Sequence, residues 1–358
     1  MNNEQKAKAN RPDAITSNID VIPFSQGMEM QIAIDALIEG YKVLIVDYYS
    51  SGLELLRALK NFIKTEYSDQ SFQGQRDFRS AFRELSHGIL LKVSNHKLVV
   101  KKAPEIGWLN ILYPELNEFL LPLTQIQGLN SSWQWYKKGI FVPVLKQKIH
   151  PWFGTYFPTR FEHLQLFDSW LRRYKGEKKS AIDIGIGSGV LSFQLVKNGF
   201  KKVYGTDSNP NSIIGLKENS DKLHSKIELI YGDLFANLHV QTELIVFNPP
   251  WLPASQNLDE IDKAIYYDSD LFSRFFTEAK KQLQPNGRVV LLFSNLAQIT
   301  KVADKHPIET ELEKNDEFVK ELLLQKKVRA ASKKTRRDQN WRSEEMVELW
   351  VIKLRRDK

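Results

Sequence analysis

The spacing of apolar residues changes character along this chain, and the change divides it in two. Up to about residue 138, short apolar runs come in mixed order. Residues 28–37 have the spacing of a short helix and 41–48 that of a strand, while 53–63 forms an amphipathic helix with Leu53, Leu56, Leu59 and Phe62 on one face. Residues 70–82 are polar and read partly as loop. The pieces 88–92 and 97–101 read as a hairpin across Ser94-Asn95-His96, and 114–121 and 131–138 read as helices. From about residue 161 the pattern becomes regular. A helix at 161–174 leads into strands at 180–185, 202–206, 227–231, 243–247 and 288–294, separated by helices at 190–200, 211–220 and 270–283. Leu283-Gln284-Pro285-Asn286-Gly287 reads as a stop and turn before residue 288, and a final helix at 317–325 precedes a strand at 346–354.

Strands alternating with helices imply a parallel sheet covered on both faces. Between the two patterns, 139–160 is punctuated by Pro143, Pro151 and Pro158 and reads as a linker. Residues 1–17 are polar, contain Pro12 and read as a disordered lead. The expected organisation is that lead, a smaller mixed α/β domain over 18–145, and a second domain over 146–358.

Composition narrows the class. A length of 358 residues suits two domains, and 42% hydrophobic with 26% charged residues is ordinary for a soluble globular chain. No apolar run approaches the roughly 20 residues that span a bilayer. The N-terminus lacks the apolar segment of a signal peptide, and the absence of cysteine removes any disulfide framework, so a cytoplasmic location and no membrane partner are expected. A formal charge of +8 would suit a polyanionic partner but is modest for this length.

The chemistry concentrates behind the regular strands, where ligands of an open α/β sheet bind. After the first comes Gly185-Ile186-Gly187-Ser188-Gly189, a turn that lets a ligand approach the backbone and opens onto a helix N-terminus. A tight turn without a ligand would use the same residues. Behind the second strand stands Asp207, placed to accept hydrogen bonds from ribose hydroxyls, which points to a nucleoside. Val190 occupies the third glycine position of the nicotinamide fingerprint, which disfavours a dehydrogenase. Asp233 follows the third strand and Asn248-Pro249-Pro250-Trp251 the fourth. Two prolines fix the backbone there and hold the Asn248 amide oxygen and a neighbouring carbonyl outward. A planar –NH₂ group could donate to both, with Trp251 stacked on it.

At these residues the second half resembles a class I S-adenosylmethionine-dependent methyltransferase, with a Rossmann-like, mostly parallel sheet whose last strand is antiparallel. The glycine turn is similar to that family's first motif. Ile245-Val246-Phe247-Asn248-Pro249-Pro250-Trp251 resembles the pattern shared by adenine-N6 and release-factor glutamine methyltransferases. The resemblance implies that Asp183, Gly185, Gly187 and Gly189 surround the methionine part of S-adenosylmethionine. Asp207 would bind its ribose, Asp233 with Leu234 would border adenine, and Asn248 would touch cofactor and substrate together. Asn248, Pro249 and Trp251 would be catalytic, and Pro250 and Trp251 would line the substrate. Pro158-Thr159-Arg160-Phe161-Glu162 is similar, in altered order, to a Pro-Arg-x-x-Thr-Glu element of the glutamine enzymes, which places Thr159 and Glu162 at the substrate. Residues 40–354 as a whole are similar to bacterial methyltransferases of unassigned substrate.

The expected reaction is methyl transfer to a planar amino or amide nitrogen of RNA, DNA or protein, with the first domain recognising the acceptor. A small-molecule N-methyltransferase and a non-catalytic S-adenosylmethionine-binding protein are the alternatives. Neither a Ser-His-Asp set nor a metal is needed. His150 and His163 could border the cofactor pocket, though a structural role is the commoner one for such residues. A basic run (Lys326, Lys327, Arg329, Lys333, Lys334, Arg336, Arg337) could grip phosphates or be a solvated loop. Trp133, Trp135, Tyr136, Lys137 and Lys138 mix aromatic and basic residues as nucleic-acid platforms do, though at helical spacing such tryptophans also serve as core.

Overall fold

The structure, a computed structural model, describes residues 8–66, 72–218, 224–254, 266–314, 316–329 and 344–355. The chain forms two compact units, Arg11–Lys138 and a second built on Gly139–Lys358 that also takes in Asn10. The first unit therefore ends at Lys138, ahead of the boundary expected near residue 145. The expected lead also differs. Ile15 pairs with Leu120 through reciprocal backbone hydrogen bonds of 3.0 and 2.9 Å, and Asn10 exchanges bonds of 2.8 Å with Asn211. Residues 1–7 lie outside the described part.

In the first unit, strands Val21–Phe24, Lys42–Ile45 and Ile89–Ser94 run parallel in chain order, and Glu118–Pro122 lies antiparallel to the third. The hairpin closes through Asn95 and His96, both at positive φ, into the short strand Lys97–Leu98. Two expectations are corrected. The polar stretch after residue 70 is a helix, Phe72–Ser86, because Phe78 and Phe82, one turn apart, supply an apolar seam with stacked rings. Residues 118–122, expected as helix, are strand, since Phe119 and Leu121 point inward at a period of two. Trp133 and Tyr136, on helix Leu123–Lys138, are half-buried and pack against fully buried Trp108 at ring distances of 5.3 and 4.8 Å, while Trp135 is exposed.

The second unit begins with a hairpin, Ile140–Val142 against Gln147–Ile149, inside the stretch expected as linker. Val142, Leu145 and Ile149 are buried in this unit's core, which is why the prolines do not leave the segment loose. Helix α1 (Glu162–Leu171) follows. The unit's main sheet has seven strands: β1 (Ser180–Ile184), β2 (Lys202–Asp207), β3 (Ile227–Tyr231), β4 (Thr242–Phe247), β5 (Leu283–Ser294), β6 (Phe318–Lys327) and β7 (Met346–Leu354). Their order is β3-β2-β1-β4-β5-β7-β6, all parallel except β7. Helices α2 (Val190–Lys197), α3 (Pro210–Glu218) and α4 (Leu271–Gln282) make crossovers. Alternate strand residues feed two cores. Ala181, Val246 and Val290 meet Phe167 of α1 and Leu195 of α2, while Ile182, Phe247 and Leu291 meet Phe275 and Phe276 of α4.

Two sequence expectations change here as well. β6 is a strand, not a helix, because β7 offers it a full antiparallel partner from Phe318 against Leu354 to Lys327 against Met346, and that pairing overrides helical spacing. β5 starts at Leu283 without a prior stop. Thr242 pairs with Leu283 and Leu244 with Arg288, so the Pro285-Asn286-Gly287 turn residues sit in a bulge within the strand.

Candidate active site

The sheet order reverses between β1 and β4, which creates a crevice at their carboxyl ends. Gly185, Gly187 and Gly189 leave β1 with φ of 63, 50 and 80°, values that disfavour any side chain. They differ in surroundings. A Cβ on Gly189 would lie 2.9 Å from Leu216 and 3.0 Å from Phe193, so this glycine lets α2 and α3 pack closely. A Cβ on Gly187 would come within 3.2 Å of the Tyr156 carbonyl, which accepts the Ser188 N–H at 3.1 Å. Gly187 in turn donates its N–H to Asp207 Oδ2 at 2.8 Å. His150 lines, with Gly187 and Ser188, a cleft of about 290 Å³ beside the loop.

Asp183, on β1, is fully buried. Ser192 Oγ donates to its Oδ2 at 2.6 Å, while Oδ1 is buried without a partner. Burial pushes this carboxyl up to about 7, against the opposing Ser192 bonds and with a further push from the Asp207 charge. A carboxylate with an orphaned oxygen at the floor of the loop fits the ammonium of a methionine moiety. Asp207, at the end of β2, receives the Gly187 and Asn209 N–H groups, the latter on Oδ1 at 2.8 Å. Burial raises its pKa against those bonds. The Ser212 side chain also bonds this carboxylate.

Asp233 is exposed and bound by Arg274 of α4, Nη1 to Oδ2 at 2.6 Å. Nothing in the sequence marks Arg274 except its spacing of four from Asp270, its other neighbour at 3.1 Å. Leu234 is buried at φ 44° and Ala236 follows at 50°, so the β3 exit is a strained turn.

Half-buried Asn248 follows β4 directly. Its Oδ1 accepts the indole N–H of Trp251 at 3.2 Å, and the Trp251 ring stands edge-on to His163, centroids 5.6 Å apart at 90°. The expected open acceptor is thus occupied by the N–H edge of the ring expected to stack on the substrate. Leu252–Pro253, just beyond, pairs with Tyr266–Tyr267 and anchors the exit of the motif. Thr159 is exposed. Glu162, expected at the substrate, is buried, and its carboxylate accepts the backbone N–H of Phe161 at 3.2 Å and of Arg329 at 3.3 Å. Those bonds fasten α1 to the end of β6, a purpose the altered motif order hid. Arg160 similarly pairs with buried Glu345 at 2.5 Å.

Residues 165–320 match the family model of the methyltransferase small domain. A protein of Methanocaldococcus jannaschii, provisionally named a protein N5-glutamine methyltransferase, is 33% identical over 159 residues, 42% of this chain and 77% of that protein. The chain belongs to the methyltransferase small domain family. It is also similar to a release factor glutamine methyltransferase of Corynebacterium glutamicum, 29% identical over 43% of this chain and 56% of the relative. A ribosomal RNA small subunit methyltransferase C of Alcanivorax borkumensis is 28% identical over 44% of this chain and 50% of that protein. The chain thus spans about half the length of these two relatives. This methyltransferase uses S-adenosylmethionine as methyl donor, and the β1–β4 crevice carries the matched region's polar residues. No described helix is long and apolar enough to cross a membrane.

Proposed function

We propose that this enzyme methylates a planar amide or amino nitrogen of a macromolecule and that Asn248 selects that nitrogen. One observation carries the reading: Asn248 Oδ1, at the β4 exit beside the β1 loop, already accepts an N–H, that of Trp251. In the reading, Asp183 and the glycines of the β1 loop hold the methionine part of the cofactor, Asp207 its ribose, and Asp233 with Leu234 its adenine. Bound there, S-adenosylmethionine supplies an electrophilic sulfonium methyl. The accepting nitrogen donates its hydrogens to Asn248 Oδ1 and the Pro249 carbonyl, which draws its delocalised lone pair toward the methyl as the new N–C bond forms. The S–C bond breaks, the thioether leaves and the nitrogen gives one proton to water. Pro250 and Trp251 supply the wall against which the planar group lies, and Thr159 borders it.

A nucleic acid is the acceptor we favour over protein, and charge supports it. The first unit, which we read as the acceptor-recognising domain, has 14 Lys and Arg against 14 Asp and Glu. Residues 326–342 hold eight Lys and Arg against one Asp, nearly the whole formal excess of +8. Lys326, Lys327 and Arg329 end β6, while Lys333, Lys334, Arg336 and Arg337 lie outside the described residues. Lys327 pairs with Met346 and Ser294 with Val347, so this connection leaves the sheet at the edge where β4 ends in Asn248. Such a cluster suits a phosphate backbone. The test is Asn248→Ala, assayed with labelled methyl donor and lysate from a strain lacking the enzyme. Retained cofactor binding with lost transfer is expected, and RNase or DNase should release the wild-type label. Transfer by Asn248→Ala at the wild-type rate overturns the role of Asn248, and label that resists both RNase and DNase overturns the nucleic-acid assignment.

A further inference from the structure

The two prolines of Asn248-Pro249-Pro250-Trp251 fix its backbone, and the half-buried Trp251 ring packs against the core that Phe247 and Phe275 share. Two specific contacts orient that ring. One is the hydrogen bond to Asn248 Oδ1, and the other is the edge-on packing against His163. His163 is well placed to act as a stop. It is 2% exposed, stands in the first turn of α1, and is followed by Leu164 and Phe167 in the core. Glu162 beside it is tied to the Arg329 backbone, and Gln194 of α2 donates to the Leu164 carbonyl at 2.9 Å. The same stretch of chain meets the β1 loop, through the Tyr156 carbonyl and the Ser188 N–H. One rigid segment therefore touches both the glycine loop and the residue that occupies Asn248.

The imidazole is a costly choice at this spot. Its Nδ1 is buried without a partner, and burial pushes the ring down to about 4, so it is neutral at physiological pH. An aliphatic side chain would avoid that cost but would offer the indole no ring to pack against at right angles. Arg160 and Glu162, the charged neighbours in sequence, are both engaged elsewhere, with Glu345 and with the Phe161 and Arg329 backbone.

We propose that His163 is a positioning residue for methyl transfer. Its ring sets the Trp251 indole and so governs how Asn248 Oδ1 passes from the indole N–H to the N–H of the methyl acceptor. This rests on the reading of Asn248 as the acceptor-binding group. In this proposal Trp251 yields Asn248 Oδ1 to the arriving acceptor, and a ring turning against the fixed imidazole can then lie along the planar group instead of wandering.

The test compares His163→Ala and His163→Phe in the full chain, with S-adenosylmethionine and the macromolecular fraction of a lysate from a strain lacking the enzyme. His163→Ala should raise the half-saturating amount of acceptor about tenfold, the scale of coupling between residues in contact. Cofactor affinity should stay within about twofold, which a merely structural role would not spare. His163→Phe, which keeps an aromatic ring there, should recover most of the loss. Unchanged acceptor saturation in His163→Ala, or equal loss of cofactor and acceptor binding in both variants, overturns the proposal. Asn248→Ala in the same assay separates the two levels. If it still transfers methyl groups, the reading of Asn248 fails; if it does not and His163→Ala is silent, only the role of His163 fails.

Discussion

The molecule contains two mostly parallel sheets, and among the described residues the candidate site lies on one of them. In the Arg11–Lys138 unit the parallel strands lie side by side in chain order, so each crossover steps the same way and the sheet has no reversal among them. Two residues past its second strand stands Asp47, which accepts the Gln26 N–H at 2.7 Å, and the chain turns straight into the helix Tyr49–Glu66. In the other unit Asp207 ends a second strand and also accepts a loop N–H, but β4 lies across β1 from it. The same local chemistry thus serves a turn in one sheet and a crevice in the other. What differs is topology: the reversal separates two neighbouring loops and leaves room between them.

The largest expected effect breaks that contrast at its centre. Asn248→Ala should lower the rate of methyl transfer by about 100-fold or more, on the scale of losing an aligned polar group at a reacting centre, with cofactor binding kept. Gly187→Ala comes next. Its φ of 50° and the nearby Tyr156 carbonyl should cost about 1–3 kcal/mol and weaken cofactor binding, measured by calorimetry and thermal melting. Asp47→Ala, the counterpart of an Asp207 substitution, should cost about 1–2 kcal/mol of stability yet leave cofactor affinity unchanged. A loss of cofactor affinity there would mean that the first sheet shares the site.

Acidity sharpens the contrast further. Asp47 is held below its ordinary value by hydrogen bonds, chiefly from the Gln26 backbone, that outweigh burial, whereas burial wins at Asp183 and Asp207. Asp183 rises from 3.8 to about 7 on folding, so the folded, ligand-free protein holds an extra proton between those values. Its stability contribution is present at low pH and is lost as pH rises toward about 7, while affinity for a cofactor ammonium increases over the same window. Melting curves and cofactor titrations from pH 5 to about 8 should show opposite slopes, and Asp183→Asn should flatten both. The smallest effect belongs to Arg274→Ala. Its pair with Asp233 is exposed, so about 1 kcal/mol or less of cofactor affinity should disappear.

The second sheet was legible because each strand and its following loop are local in sequence. Apolar runs end in Gly185, Asp207, Asp233 and Asn248, and the structure brings these residues to one edge. What could not be read depends on partners far along the chain. β6 is a strand because β7 pairs with it, and Phe72–Ser86 is helical because a few aromatic residues outweigh a polar majority. Arg274 reaches Asp233 from 41 positions away, and His163 meets Trp251 from helix α1, far back along the chain. Glu162 illustrates the opposite risk, since a motif-like residue near the site fastens two backbone segments instead.

The most direct measurement of the central claim is the identity of the methylated atom. Macromolecules labelled by the wild-type enzyme, digested to nucleosides or amino acids and resolved by mass spectrometry, should carry the new methyl on an amino or amide nitrogen, and Asn248→Ala should leave that product absent. A methyl group on carbon, oxygen or sulfur would contradict the account, because those acceptors have no pair of N–H donors for the Asn248 and Pro249 oxygens.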